Sequence, residues 1–372
     1  MRTRITAAVL VKTGDPLELM DVLLDEPLEH EVLVRTERVG LCHSDLHYLN
    51  GSLAIPTPAV LGHEVVGIVE RVGSGVTRMA PGDRVVATVT PACGLCRACL
   101  SGRPTQCERV DELRARPRPK LVTVAGDEIS LLGAIGAFAE AFVLSESALA
   151  RIETSMPPEV ACLLGCCVTT GVGAVLHGAR VTPADTVAVI GCGGVGIAAI
   201  QGARLAGARA IVAVDAFEEK LDLARRFGAT TTVLADLDPE VTRKRLAEAV
   251  PGGFDHAFEA VGRRQTAELA FEILAPSGTA TVLGLMPAGE RLSISADALV
   301  YGDRRLQGAY MGANRFLSDV QMFVDHHATG RLDLDGMVSQ QLPFAQINEG
   351  FEAMAHPTTV RIVLGLDQPR PE

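Results

Sequence analysis

Nine cysteines in a chain of 372 residues are the side chains most able to do chemistry, and their spacing divides them into two groups. Cys93, Cys96, Cys99 and Cys107 form C-x2-C-x2-C-x7-C within PACGLCRACLSGRPTQC. Four thiolates so close in the chain can enclose one tetrahedral Zn²⁺, whose preference for sulfur suits a closed structural site. An iron–sulfur cluster shares this tight spacing, although a lone cluster far from a second redox centre has no evident purpose. The other five, Cys42, Cys162, Cys166, Cys167 and Cys192, are scattered. Cys42 in VGLCHSDLH and His63 in LGHEVVG each follow a strand-like run, and Cys166 lies in LLGCCVTTGVG, just before a change of pattern. A Cys₂His set with an open fourth position is a way of holding catalytic zinc. From spacing alone, buried thiols and a surface histidine are the better account of these three.

The next signal is a glycine string. TVAVI runs into Gly191, Cys192, Gly193, Gly194, Val195 and Gly196, and then into the helical IAAIQGARLA. This is G-x-G-x-x-G in a strand–turn–helix setting, where the glycines permit a tight turn, close approach to a pyrophosphate and close helix packing. The following strand-like run, AIVAVD, ends at Asp215, about 20 residues on, where a carboxylate can accept both hydroxyls of an adenosine ribose. Asp215 would repel a 2′-phosphate, and neither Ala216 nor Phe217 supplies an arginine to receive one, so NAD is expected rather than NADP. Lys220 is a further candidate donor to the ribose.

These residues need a scaffold of two kinds. From Arg4 to about Val143 short strand-like runs are broken by Gly and Pro, an all-β pattern. From about Pro183 to Tyr310, β-branched runs alternate with helical stretches, which specifies a parallel sheet covered on both faces. A helix around Phe316 to His327 and the strand-like TVRIVLGL follow. Residues 108–121, in which Pro117 and Pro119 forbid a continuous helix, read as a loose surface loop. Hydrophobic residues at 48% and charged residues at 21% describe a packed protein rather than a disordered one. The net charge of −11 opposes binding to nucleic acid or anionic membranes, and no run of apolar residues is long enough to cross a bilayer. The N-terminus lacks a convincing cleavable leader, so a cytoplasmic location is expected, where cysteines serve metals or catalysis before disulfides.

In order and in sequence, GLCHSDLH, PAVLGHEVVGIVERVGSGV, the four-cysteine lobe, LLGCCVTTGVGAV, GCGGVG, VAVD, LPFAQINEGFEAM and VRIVLGL resemble the zinc-dependent medium-chain alcohol dehydrogenases. The resemblance runs along nearly the whole chain. It implies an α/β architecture: a Rossmann doubly wound parallel sheet, residues 168–310, plus a GroES-like, mainly β catalytic domain, residues 1–167 and 311–372, with the active site between them. It makes Cys42, His63 and Cys166 ligands of a catalytic zinc, and Cys93, Cys96, Cys99 and Cys107 ligands of a structural one. Ser44 and His47 match a proton relay, Asp45 a partner of the histidine ligand, and Glu64 a carboxylate behind the metal. Thr170 and Val195 match residues at the nicotinamide, and Arg361 one near the pyrophosphate. His43 stands where some members hold an arginine against that pyrophosphate, which implies a weaker and more pH-dependent grip on the cofactor.

The implied chemistry is alcohol oxidation. On that resemblance zinc held by Cys42, His63 and Cys166 would make a bound hydroxyl more acidic, Ser44 and His47 would carry the proton out by way of the nicotinamide ribose, and NAD would accept the hydride. The pocket position that is often aromatic in this family is Val89, four residues before Cys93; with Leu131, Leu132, Leu285 and Met286 it implies a roomy aliphatic pocket for a medium or bulky alcohol. Polyol and threonine dehydrogenases commonly place a glutamate near the third ligand, where this chain has Gly165 and Cys166. Thiol-dependent formaldehyde dehydrogenases are the nearest alternative, and a non-catalytic or quinone-reducing relative the next. The length between Cys107 and Phe138 resembles dimeric members more than tetrameric ones.

Overall fold

The computed structural model describes residues 2–152 and 155–366. The outer limits of the expected first domain, residues 1 and 372, lie outside them. Three sheets carry the molecule. The first two belong to the strand-rich half. Thr3–Leu10 pairs antiparallel with Glu18–Leu24 and Ala59–Val60, and Leu121–Thr123 and Ser130–Leu131 close the edges of that sheet. In the second, the ten-residue strand Glu31–Gly40 pairs with Glu64–Val72, Ala141–Ser145 and Arg361–Gly365. The C-terminal strand therefore returns to the N-terminal half.

The third sheet is six-stranded, parallel, and ordered Thr231–Leu234, Ala210–Asp215, Thr186–Ile190, Phe254–Glu259, Leu274–Val282, Arg305–Gly308. The chain starts in the middle and reverses direction across the sheet between Thr186–Ile190 and Phe254–Glu259. That reversal opens a crevice beyond the strand ends, the usual ligand site of doubly wound sheets. Thr186–Ile190 is buried throughout, as a β-branched central strand covered on both faces should be. Helix Gly194–Ala206 packs over it, and the helices expected near Phe227, Ala249 and His327 occupy Glu218–Phe227, Pro239–Ala249 and Phe316–Ala328. No single described helix is long and apolar enough to cross a membrane; the bent pair Pro158–Gly165 and Cys167–Ala179, apolar enough together, contributes Val160, Leu163, Val168 and Val172 to the core.

One expectation fails. Residues 108–121 are not a loose loop. They begin with a short helix, Val110–Arg114, and enter the strand Leu121–Thr123, with Arg116 and Lys120 tucked inward. The prolines do prevent a longer helix, but the basic side chains beside and between them, Arg116, Arg118 and Lys120, find acceptors elsewhere in the domain and pin the segment down.

Candidate active site

The candidate ligand atoms of Cys42, His63 and Cys166 lie within 4.8 Å of one another, and all three residues are buried. Each comes from a different break in regular structure. Cys42 caps helix His43–Leu49 just after the strand Glu31–Gly40 ends. His63 occupies the link between Ala59–Val60 and Glu64–Val72. Cys166, at φ −144° and ψ −76°, interrupts the helical run between Cys162–Gly165 and Cys167–Gly173.

Asp45, fully buried, ties the first two together. Its Oδ1 accepts from His63 Nδ1 at 3.0 Å and from the Gly62 N–H at 3.0 Å, while Oδ2 accepts from the Cys42 N–H at 3.2 Å. That bond fixes the imidazole and leaves Nε2 for the sulfurs. Burial alone would push the His63 imidazole down; Asp45, then Cys42, hold it well above the ordinary histidine range. Of the two cysteines, Cys42 is drawn down by its hydrogen bond with Cys166 and by the charge of Arg361, against burial, whereas Cys166 is pushed up. Arg361 Nη2 lies 3.7 Å from Cys42 Sγ, and its Nε pairs with Glu64 Oε2 at 2.9 Å. Glu64 in turn accepts the Cys167 N–H at 2.9 Å. Two thiolates and a neutral imidazole cancel the charge of Zn²⁺, which suits so buried a position, so this donor set fits zinc.

The four-cysteine group also gathers its sulfurs within 4.8 Å, near the surface. Here the sulfurs are served by backbone. Cys93 Sγ accepts from the N–H groups of Leu95 and Cys96 at 3.4 and 3.3 Å, and Cys96 Sγ from Cys99 and Glu108 at 3.5 and 3.4 Å. These donors pull the Cys96 thiol down to about 6. The arrangement also fits zinc, with no open position. All nine cysteines are described and none is in a disulfide.

On the nucleotide side, Gly191 adopts φ +95°, and a Cβ at Gly196 would stand 1.7 Å from the Gly191 carbonyl, so the turn requires glycine at both. The Asp215 carboxylate accepts the Cys192 N–H at 2.7 Å and the Phe217 N–H at 3.2 Å. Arg361 reaches this turn as well, since a Cβ on Gly194 would lie 2.6 Å from its Cζ. His43 stands on the exposed side of its helix, yet the surrounding protein, and then Arg361 and Lys220, push its imidazole down toward the neutral form. Ser44 Oγ is 3.7 Å from Cys42 Sγ, and His47 is half-buried in the last turn of the same helix. Thr170 is buried in the helix that follows Cys166, and Val195 lies against that helix, its carbonyl 2.4 Å from where a Cβ of Gly171 would be.

Of the expected pocket residues, Val89 packs against the cluster that Cys42 and Cys166 form with Met311. Leu132 is buried in the adjoining core, with Leu131 against it. Leu285 lies past the end of Leu274–Val282, 43% exposed, and shares no described cluster with Val89; Met286 beside it is half-buried. Sequence reasoning missed Met311. At φ +49° it turns its side chain into the cluster with Cys42 and Cys166, with Sδ 3.9 Å from Thr170 Oγ1. No local pattern marks it, because its direction depends on a left-handed turn.

Two family models match the chain: Alcohol dehydrogenase GroES-like domain over residues 28–154, and Zinc-binding dehydrogenase over residues 194–325. A protein described as Alcohol dehydrogenase class-3, from Myxine glutinosa, is 36% identical over 366 residues, covering 97% of each chain. Among solved structures, an Alcohol dehydrogenase zinc-binding domain protein from Burkholderia ambifaria superposes with a TM-score of 0.92 at 31% identity, over 99% of this chain and 100% of the other. Benzyl alcohol dehydrogenase from Acinetobacter calcoaceticus gives 0.90 at 28% identity, over 98% and 99%.

Proposed function

The chain belongs to the zinc-dependent medium-chain alcohol dehydrogenases, and we propose that within this family it reversibly oxidises a primary or secondary alcohol to an aldehyde or ketone with NAD as hydride acceptor. The observation that carries this reading is the position of Arg361, which touches Gly194 of the nucleotide turn on one side and Cys42 of the buried cluster on the other. A cofactor on that turn and a metal in that cluster would thus be neighbours.

Zinc held by Cys42, His63 and Cys166 would supply a Lewis acid that eases loss of a hydroxyl proton. Ser44 Oγ, beside Cys42, is the group to take that proton, and His47, one helical turn on, the group to exchange it with solvent. Asp45 keeps His63 in one tautomer, and Glu64 keeps Arg361 directed between the two sites. Asp215 and Lys220 would bind the adenosine ribose, the amides at Gly193 and Gly194 the pyrophosphate, with His43 and Arg361 at its edge, and Thr170 and Val195 would flank the nicotinamide. Val89, Leu131, Leu132 and Leu285 would bound the alcohol, and Cys93, Cys96, Cys99 and Cys107 would hold a second, structural zinc. The same reading divides the chain at residues 168 and 310. It is supported by the pairing of Arg361–Gly365 with Glu31–Gly40. A dimer in the cytoplasm belongs to the same proposal.

Zinc analysis of the purified protein combined with NAD- and NADP-linked oxidation of ethanol, hexanol and benzyl alcohol tests it. About two zinc ions per chain and NAD-linked turnover, fastest with the larger alcohols, are expected. One zinc or fewer with no turnover would refute the reading, and formaldehyde with glutathione as the best substrate would replace it with the thiol-dependent reaction.

A further inference from the structure

Residues 108–121 carry an alternation that neither metal cluster nor the nucleotide turn uses. Arg114, Arg116, Arg118 and Lys120 recur at every second position, with Pro117 and Pro119 between the last three. The prolines hold the chain extended, and every basic group meets an acceptor, the middle two sharing Asp25. The middle two are anchors. Arg116 pairs with Asp25 at 3.0 Å and Glu31 at 3.3 Å and donates to the Glu26 carbonyl at 3.0 Å, and Arg118 pairs with Asp25 as well.

The outer two reach the substrate side. Arg114 Nη2 donates to the Val89 carbonyl, and Lys120 Nζ donates to the Ala134 carbonyl at 2.9 Å. Val89 packs against the cluster of Cys42, Cys166 and Met311. Ala134 sits at φ +62° in a turn where Gly133 and Gly136 are also left-handed. The two walls touch, because a Cβ at Gly133 would stand 2.5 Å from Val89 Cγ1. A left-handed alanine is a strained element that its surroundings must hold in place. A charged donor on its carbonyl is a strong means of doing so. Lys120 is only 8% exposed, and burial pushes its amine down to about 8. An amine kept there against that penalty does something an apolar side chain would not.

We infer that Arg114 and Lys120 are positioning residues that set the shape of the alcohol pocket by holding the Val89 and Leu132–Gly136 backbones against each other. Both act through carbonyls and neither touches the reacting atoms. The inference rests on the alcohol-oxidising reading for its kinetic test, but not for its structural one.

The experiment uses the full zinc-loaded protein with Arg114→Met, Lys120→Met and the donor-retaining Arg114→Lys. Amide hydrogen exchange by mass spectrometry follows peptides over residues 85–92 and 130–137. Kinetics give kcat/KM for benzyl alcohol relative to ethanol, together with the KM for NAD. In both methionine variants the two peptides exchange faster than in wild type. The alcohol ratio changes by about tenfold, the scale of a reshaped apolar pocket, while the NAD KM and zinc content stay within about twofold. Arg114→Lys restores the ratio. Unaltered exchange in both peptides, or an alcohol ratio that stays within twofold while only thermal stability falls, overturns the inference. Should Lys120→Met fail to accumulate, the half-buried Arg114 decides through its own pair of variants. A wild type that oxidises no alcohol refutes the functional reading instead, and exchange alone then judges the positioning role.

Discussion

The lobe at residues 93–107 and the buried Cys42–His63–Cys166 cluster both hold sulfurs within reach of one ion, by opposite means. In the lobe every donor comes from one short loop, and the groups that steady the sulfurs are backbone N–H groups of that same loop. Four thiolates around Zn²⁺ leave a net charge of −2, which such donors and nearby solvent can bear. In the buried cluster two thiolates and an imidazole would balance such an ion, and the supports are charged side chains from distant segments: Asp45, Glu64 and Arg361. A closed cage can be made locally. An open site that must leave room for a substrate needs the whole fold to aim its ligands, and its charged supports expose it to damage from outside the ligand shell.

The comparison breaks if loss of one sulfur has the same consequence in both places. Cys166→Ser is expected to lower kcat by at least about 10³-fold, the scale of losing electrostatic stabilisation of the transition state, and to reduce zinc from two ions per chain to one. Cys99→Ser is expected to lose one zinc as well, but to keep activity within about tenfold while the lobe becomes sensitive to protease. Zinc analysis and steady-state rates on the same preparations check both. Equal losses of rate would mean that the lobe serves catalysis directly.

The supporting charges come next. Glu64 and Arg361 have side chains 0% and 3% exposed, whereas Arg97 and Glu108 on the lobe are 86% and 47% exposed. Glu64→Gln leaves a buried guanidinium without its counter-charge and should cost about 3–5 kcal/mol of unfolding free energy. Glu108→Gln should cost less than about 1 kcal/mol. Denaturant titrations of the two variants would show the contrast, and similar midpoints would show that the inner pair is not what holds Arg361.

A smaller effect belongs to Asp45. Asp45→Asn retains the shape but removes the charge behind His63, and metal affinity is expected to fall about 10- to 100-fold, as is usual for such partners. Competition with a chelator measures it. Retained affinity would mean that the backbone, rather than Asp45, orients the imidazole.

How much of this could be read in the sequence follows the same division. The four lobe cysteines and Gly191–Gly196 are legible because each is a local pattern whose geometry is fixed by adjacent residues. Cys42, His63 and Cys166 have no mutual spacing, so only the order of motifs along the chain pointed to them as a set. Met311 was invisible because its direction follows from the left-handed turn in which Gly312 presses on the Thr170 carbonyl, where a Cβ would stand 2.3 Å away. The segment after Cys107 reads as loose because prolines are visible in a sequence, while Asp25, which holds it from 91 and 93 residues away, and the Ala134 carbonyl, fixed by a left-handed turn, are not marked by any pattern.

That segment joins the two regions, leaving the lobe at Cys107 and ending behind the pocket at Lys120, so its weakest link can be tested by pH. Burial, aided by Arg116 and Arg114 and opposed by Glu31, lowers the Lys120 amine from 10.5 to about 8. Because the folded value lies below the unfolded one, the unfolded chain binds more protons between them. Unfolding free energy therefore rises with pH across about pH 8 to 10.5, and below pH 8 the penalty of the buried charge is fully present. Other groups titrate in this range, so the quantity to follow is the difference between wild type and Lys120→Met. Wild type should gain about 1 kcal/mol relative to the variant for each pH unit above 8 until the window closes. Urea unfolding of both proteins at pH 7.5, 8.5 and 9.5 measures the gain. A difference that stays constant over those three values would mean that the amine is hydrated in the folded chain and does not grip the Ala134 carbonyl, which would leave the lobe and the pocket mechanically separate.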